Sequence, residues 1–390
     1  MHGSKKLFIV SFLVLLLASS PLFSFSSRVF HHPRSTDKLS KRWDWAVQEA
    51  KKQGVEDGFW IGYSIKRLMG EYSYISSTSR YHFRGYHPFL SRLEDDTLEK
   101  IIYGRDTSPV LSGEEQVKLA AKIALAEIEN RRRPGRTVWK DIAILFKFES
   151  RSSQVPEAVR LNNLTLPFDL EGFSLFWLDK TEDEESVSLL SSLYERSIPE
   201  QLKKRILSAI GFHGSPELVV PFLDKVLKSK EPDSLRGRAA SELEDHETEQ
   251  ALKILHQTAK NDRSFEVRKK AVYALEDMYL PGATEALIDI ARNTPHTEIR
   301  ERAISSLAEK ASEKVAATLE DLAYEDENTE VQKRAVYALE DLPDGQGIPY
   351  LIKIAKTHWK VSIRKRAINC LGDSGDPRAL QALIDILKEK

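Results

Sequence analysis

At 390 residues, with 41% hydrophobic and 30% charged side chains, the chain is too long for one small core and too apolar to be disordered throughout. Its formal net charge is −1, but the residues up to 165 are net basic and those after them net acidic, which points to two modules with different surfaces. A net acidic array is a poor grip for phosphates, so nucleic acid is not an expected partner.

The chain opens with a basic head, Lys5 and Lys6, followed by the apolar run LFIVSFLVLLLA from Leu7 to Ala18. That pattern is a signal peptide, and Ser24-Phe25-Ser26 places small residues for cleavage after Ser26. Residues 1–26 are therefore expected to be removed and the protein to be exported, to a periplasm or out of the cell. An uncleaved anchor needs about 20 consecutive apolar residues, and Ser19, Ser20 and Pro21 interrupt the run. Membrane attachment is expected only if this segment stays uncleaved.

Residues 27–165 show no internal period and read as a small α+β module. WDWAVQEAKKQ around Trp43 and EEQVKLAAKIALAEIENRRR from Glu114 have helical patterning. GFWIGYSI, DIAILFKFE and AVRLNNLTLPF read as strands. Aromatic residues are dense here, among them Trp43, Trp45, Trp60, Tyr63, Tyr72, Tyr74, Tyr81 and Tyr86. Most belong to a core or sheet face, a ligand-binding cluster being the alternative.

Residues 166–390 repeat. LRGRAASELED, VRKKAVYALED, IRERAISSLAE, VQKRAVYALED and IRKRAINCLGD begin at Leu235, Val267, Ile299, Val331 and Ile363, each 32 residues after the last. LKKRILSAIGF at Leu202 is an earlier unit, and LEGFSLFWLDK at Leu170 a degenerate one, giving seven. Val267, Ala271, Ala274 and Leu275 form the stripe of an amphipathic helix, and Ala283, Leu287, Ile290 and Ala291 form a second. Pro281-Gly282, Pro343-Asp344-Gly345 and Gly375-Asp376-Pro377 break helix between the stripes, and Asn261-Asp262, Asn293-Thr294 and Asn328-Thr329 stand where the next unit starts. One helix pair cannot bury its own apolar face, so the pairs must stack into an all-α solenoid.

The V-R-x-x-A-x-x-A-L pattern, as in VRKKAVYAL and nearly so in IRKRAINCL, resembles the short HEAT-like repeat seen also in phycobilin-lyase-type proteins. The resemblance covers residues 166–390 and speaks for fold rather than chemistry. It implies a superhelix whose V-R helices line the concave face. Lys269, Lys270, Tyr273 and Asp277 would then share one surface with Arg302 and Ser305 and with Lys333, Arg334, Tyr337 and Asp341. Lys365, Arg366 and Asn369 would extend it.

Within that surface a cation stands three residues after each leading apolar residue (Arg238, Lys270, Arg302, Arg334, Arg366) and an acid ten after it (Asp245, Asp277, Glu309, Asp341, Asp373). The two rows are either an ion-pair ladder between repeats or a charged groove for a partner, with Tyr273 and Tyr337 as anchors or as packing.

No motif calls for a cofactor or a metal. The deoxyhypusine hydroxylases build a di-iron site from several His-Glu dipeptides on HEAT repeats; here His-Glu occurs once, at His246-Glu247. His213, His256, His296 and His358 share no repeat position. There is no G-x-S-x-G, no P-loop and no G-x-G-x-x-G. The lone cysteine, Cys370, lies in a repeat helix as a small buried thiol and has no partner for an intramolecular disulfide.

The sequence thus describes an exported, non-enzymatic scaffold that binds a protein or peptide on the concave face. A ligand or catalytic site in the aromatic-rich N-terminal module, with the repeats as support, is the alternative. The leader makes one measurable statement: mass analysis of protein from the producing cell should give a mature N-terminus near Ser27. Soluble cytoplasmic protein retaining Met1 would refute it.

Overall fold

The computed structural model describes residues 28–55, 58–70, 75–78, 81–84, 102, 137–165, 168–196 and 198–388. The leader, the helix expected from Glu114, and Tyr72, Tyr74 and Tyr86 lie outside the described residues, as does the side chain of Tyr81.

Strands β1 (Val29–His31), β2 (Phe59–Gly70), β3 (Ile75–Thr78), β4 (Tyr81–Arg84), β5 (Thr137–Phe148), β6 (Ala158–Asn163) and β7 (Ser174–Lys180) form one sheet in the order β1-β7-β2-β5-β6-β3-β4. Strand β7 runs parallel to β1 and β2, and the remaining pairs are antiparallel. Side chains alternate along β2, with Phe59, Ile61, Tyr63 and Ile65 in one core and Trp60 in the other. Both faces are therefore apolar at the sheet centre, which is why β2 and β5 read as unbroken hydrophobic runs. Gly62 is required there: a Cβ would stand 2.6 Å from Leu145 and 3.1 Å from the Trp177 ring.

Helix α1 (Leu39–Lys52) lays Leu39, Trp43, Ala46 and Ala50 on the first face, with the Trp43 ring edge-on to Phe146 at 4.9 Å. Trp43, Trp60 and Tyr63 are buried, and Trp45 packs half-buried against His32 and Phe176, so these aromatics are core and sheet-face residues.

The unit expected at Leu170 is not a helix pair. Its LFWL run becomes β7, in which Leu175, Phe176, Trp177 and Leu178 are all fully buried. Four successive apolar residues suit a central strand covered on both faces, whereas a repeat helix needs a stripe with polar residues between. The change from sheet to helices therefore falls between Lys180 and Asp183, not at 166.

Only the second helix of that unit forms, as α2 (Asp183–Tyr194). Six pairs follow: α3 (Glu200–Gly211) with α4 (Pro216–Leu227), α5 (Asp233–Glu242) with α6 (Glu249–Asn261), and α7 (Phe265–Asp277) with α8 (Pro281–Asn293). Then come α9 (Thr297–Glu309) with α10 (Glu313–Glu325), α11 (Thr329–Glu340) with α12 (Ile348–Thr357), and α13 (Val361–Asp373) with α14 (Pro377–Lys388). The punctuation falls where the turn residues stand: Pro281 and Pro377 open second helices, and Asn328 caps α11 by accepting from the Glu330 amide at 2.8 Å.

Odd-numbered helices from α3 to α13 stack on one another as a first row, and even-numbered helices from α2 to α14 form a second row. Neighbours in the first row approach each other more closely than neighbours in the second. The fully buried alanines Ala239, Ala271, Ala303, Ala335 and Ala367 permit that approach. A stack tighter on one side curves toward it, so the first row, which carries the V-R motif, lines the concave face.

Sheet and array share one hydrophobic core, running from Leu39 through the first sheet face to Ala379. Arg42, buried in α1, fastens the joint: its guanidinium donates to the carbonyls of Leu178 and Lys180 at the end of β7 and lies 3.5 Å from Glu185 on α2.

Leu307 and Leu339 are buried between neighbouring repeats. Truncating either to Ala should lower unfolding free energy by about 2–5 kcal/mol in a urea titration. An unchanged midpoint would contradict the stacking.

Candidate functional site

The residues expected on the concave face do lie on the first row, but they touch one another in a different way from the expected ion-pair ladder. The Arg302 guanidinium sits 4.8 Å from the centre of the Tyr273 ring, and Arg366 sits 4.5 Å from that of Tyr337. Between these pairs, Arg334 Nε donates to Ser305 Oγ at 2.7 Å. Each cation thus lies over the residue 29 positions before it, in the preceding repeat. The acids Asp277, Glu309, Asp341 and Asp373 form no ion pair with these cations among the described residues, so from α7 to α13 the cation–acid ladder is not formed. Tyr273 and Tyr337 are half-buried, each already covered by a guanidinium.

Lys269 and Lys333 fold back along their own helices onto Glu266 at 2.7 Å and Glu330 at 2.8 Å. Lys270, Asp277, Asp341, Lys365 and Asn369 are exposed. The cation row also continues upstream of the expected five. Arg205 holds the same position in α3, where burial, then the like charges of Arg160 on β6 and Arg238 on α5, lower its pKa.

The arginine of the V-R motif, to which the sequence assigns no separate role, is a joint. Arg236 is buried, donates through Nη2 to Asp262 at 2.9 Å and through Nη1 to the Glu231 carbonyl at 2.7 Å, and so pins the loop before the next repeat. Lys203 does the same with Glu231 at 2.6 Å, and Arg300 with Asp326. At the next joint the polarity reverses, with Lys360 donating to Gln332 at 2.7 Å. The legible signal was an acid or amide facing a cation about 26 residues away.

A second polar cluster lies where the sheet meets the array. Ser186 on α2 and His213 after α3 are linked at 2.7 Å, and Ser186 and Tyr63 at 2.8 Å. His213 Nδ1 faces the Ala209 and Ile210 carbonyls and must donate there, so Nε2 accepts the Ser186 proton and Tyr63 donates to Ser186. This is the contact of a serine nucleophile with its base, but all three residues are buried and no substrate can reach the hydroxyl. Its role is to tie sheet to helices. Beside it, Asp183 accepts from the Gly214 amide at 3.1 Å and the Ser215 hydroxyl at 2.8 Å.

His213 and His246 hold equivalent places in successive units, which are 33 and not 32 residues apart at this point. His246 reaches back to the Gly211 carbonyl at 3.0 Å. Burial lowers the pKa of both. Cys370 is buried, and that burial, with the Glu340 carboxylate, raises its thiol pKa, which disfavours a thiolate nucleophile. Among the described residues no group of three or more His, Cys, Asp or Glu is placed to hold a metal ion, and no helix is long and apolar enough to cross a membrane.

Stacked helix pairs, a closer first row and polar joints from one repeat to the next define a helical-repeat solenoid. Residues 220–308 and 316–390 match the family model for HEAT repeats, and the C-terminal array is a HEAT-repeat array. No curated protein sequence matches the chain. Partial likenesses occur among solved structures. Human deoxyhypusine hydroxylase in complex with glycerol shares 16% identity over 52% of this chain and 90% of that one, with a TM-score of 0.30. The complex of CpcE and CpcF of phycocyanin lyase from Nostoc shares 21% over 39% and 96%, at 0.29. The S. pombe condensin Cnd3-Cnd2 subcomplex shares 17% over 52% and 31%, at 0.31. At these scores none bears on what this chain does.

The buried histidines generate a pH dependence. The unfolded chain's imidazoles titrate near the ordinary value of about 6.5, and the folded ones lower. As pH falls through that value the unfolded state binds more protons, so stability is fully present above it and declines below it. Urea midpoints should fall between neutral and mildly acidic pH, and His213→Asn, though less stable at neutral pH, should show a shallower fall. An equal slope in the variant would remove His213 from the effect.

Proposed function

We propose that the protein is an exported scaffold whose first-row face binds an extended segment of a protein partner. The observation that carries this is the strip itself: side chains at equivalent first-row positions present cations, hydroxyls and tyrosine edges at one repeat spacing along the concave side, with acids free of those cations beside them. HEAT-repeat arrays commonly bind proteins, and stacked repeats supply the long concave surface such binding uses. The guanidinium-on-tyrosine pairs fix side chains that would otherwise lose rotamer freedom on binding, so the surface is preorganised. Export is part of the proposal and is supported by the leader alone.

The test is site-specific cross-linking in the producing cell. A photoreactive residue at Lys270 or Lys365, exposed on the first row, should trap a discrete protein partner. The same residue at Lys253 on α6 or Gln381 on α14, exposed on the second row, should not. Equal trapping from both rows, or trapping from the second row alone, would overturn the assignment of the face.

A further inference from the structure

The first-row surface is interrupted at one place. Five of the six first-row helices carry a long charged side chain two residues after the leading apolar residue: Lys204, Lys269, Glu301, Lys333 and Lys365. The sixth carries Gly237, in the middle of α5. Glycine there weakens the helix relative to alanine, and packing does not require it, because a Cβ would meet nothing nearer than Lys270 Cγ at 3.6 Å. With Ser241 four residues on, Gly237 leaves an open hollow of about 470 Å³ between α3, α5 and α7.

The charge of the hollow is unevenly satisfied. Lys204 is paired with Glu200 at 2.8 Å, and the rim acids Asp233 and Glu266 are paired with Arg236 at 3.0 Å and Lys269 at 2.7 Å. Arg238 reaches Glu242 only at 3.4 Å, and Lys270 forms no ion pair among the described residues. Beyond Arg238 the run of positive charge continues through Arg205 to Arg160 at the sheet.

We propose that this hollow receives a carboxylate side chain of an acidic segment in the partner, held by Lys270 and Arg238 with the Ser241 hydroxyl as a further donor and Gly237 as the floor. The proposal rests on the first-row face being the binding face and adds the chemistry of what it binds. A singly charged carboxylate fits the mixed rim better than a phosphate, which Asp233 and Glu266 would repel more strongly, and a flat membrane cannot enter a concave surface.

The full-length protein should be titrated with a labelled peptide of alternating Glu and Gly, beside a control with Gln in place of Glu. The acidic peptide should bind in a salt-dependent way and the control should not. Lys270→Glu should weaken binding about tenfold or more. Gly237→Ala should melt higher than the parent and still bind. Gly237→Gln should melt no lower than the parent but bind about tenfold more weakly, a separation of stability from binding that a structural role for the glycine does not produce. Acidic-peptide binding unchanged by both Lys270→Glu and Gly237→Gln would overturn the hollow while leaving first-row cross-links, and so the binding face, intact. Absence of those cross-links would instead remove the face. Displacement of the peptide by inorganic phosphate or by phosphatidylserine vesicles at matched charge would reassign the site to a phosphate ligand and overturn the carboxylate.

Discussion

An amphipathic helix pair of this length has more apolar surface than it can cover by folding on itself, and the fully buried alanine four residues into each of the last five first-row helices decides how that surface is covered. A methyl side chain lets the next first-row helix come close, while the larger Leu, Ile and Val side chains fill the space toward the second row. Curvature, register and the layout of the concave face follow from that spacing. A cation three residues into one helix falls on the residue six into the previous one because the two helices are this near.

The polar groups of the array are mostly used to fix this geometry. Motif cations bind loop acids one repeat on, where burial of Arg236 beside Asp262 makes the pair far less exposed to screening than a surface bridge. Loss of one partner would strand a buried charge, so such joints specify register more than they add stability. The same logic operates where the array begins. Instead of a polar capping repeat, a mixed sheet closes the first helix, and Tyr63, Ser186, His213 and Arg42 satisfy one another or backbone carbonyls in the seam. At the other end, α14 leaves Leu380 and Leu387 exposed, since no further helix covers them among the described residues.

Against this background, the concave face divides into groups already engaged and groups still open. Arg302 and Arg366 lie on Tyr273 and Tyr337, and Arg334 on Ser305; Lys270, Lys365, Asp277, Asp341 and Asp373 form no ion pair among the described residues. Specificity on such a face comes from where its regular pattern is broken, and α5 breaks it by placing glycine where its neighbours place lysine or glutamate. The buried Ser186–His213 contact illustrates the converse, a catalytic-looking pair whose environment makes it structural.

Period and amphipathic stripe settled the helical repeat from sequence alone, because each is a local property of a 32-residue segment. The β2 and β5 runs and the burial of Trp43, Trp60 and Tyr63 were legible for the same reason. Leu170–Lys180 was misplaced because register with the repeats, a pattern of spacing, competed with a run of four apolar residues that only a sheet covered on both faces could bury. The partners of the cation row were equally hidden. Sequence spacing suggested an acid seven residues away on the same helix, whereas helix-to-helix approach placed a tyrosine or serine from 29 residues earlier beneath each guanidinium. The hollow at Gly237 is likewise decided by the three helices around it: a single glycine is unremarkable in a sequence, and becomes a cavity only where the helices on both sides carry long side chains around it.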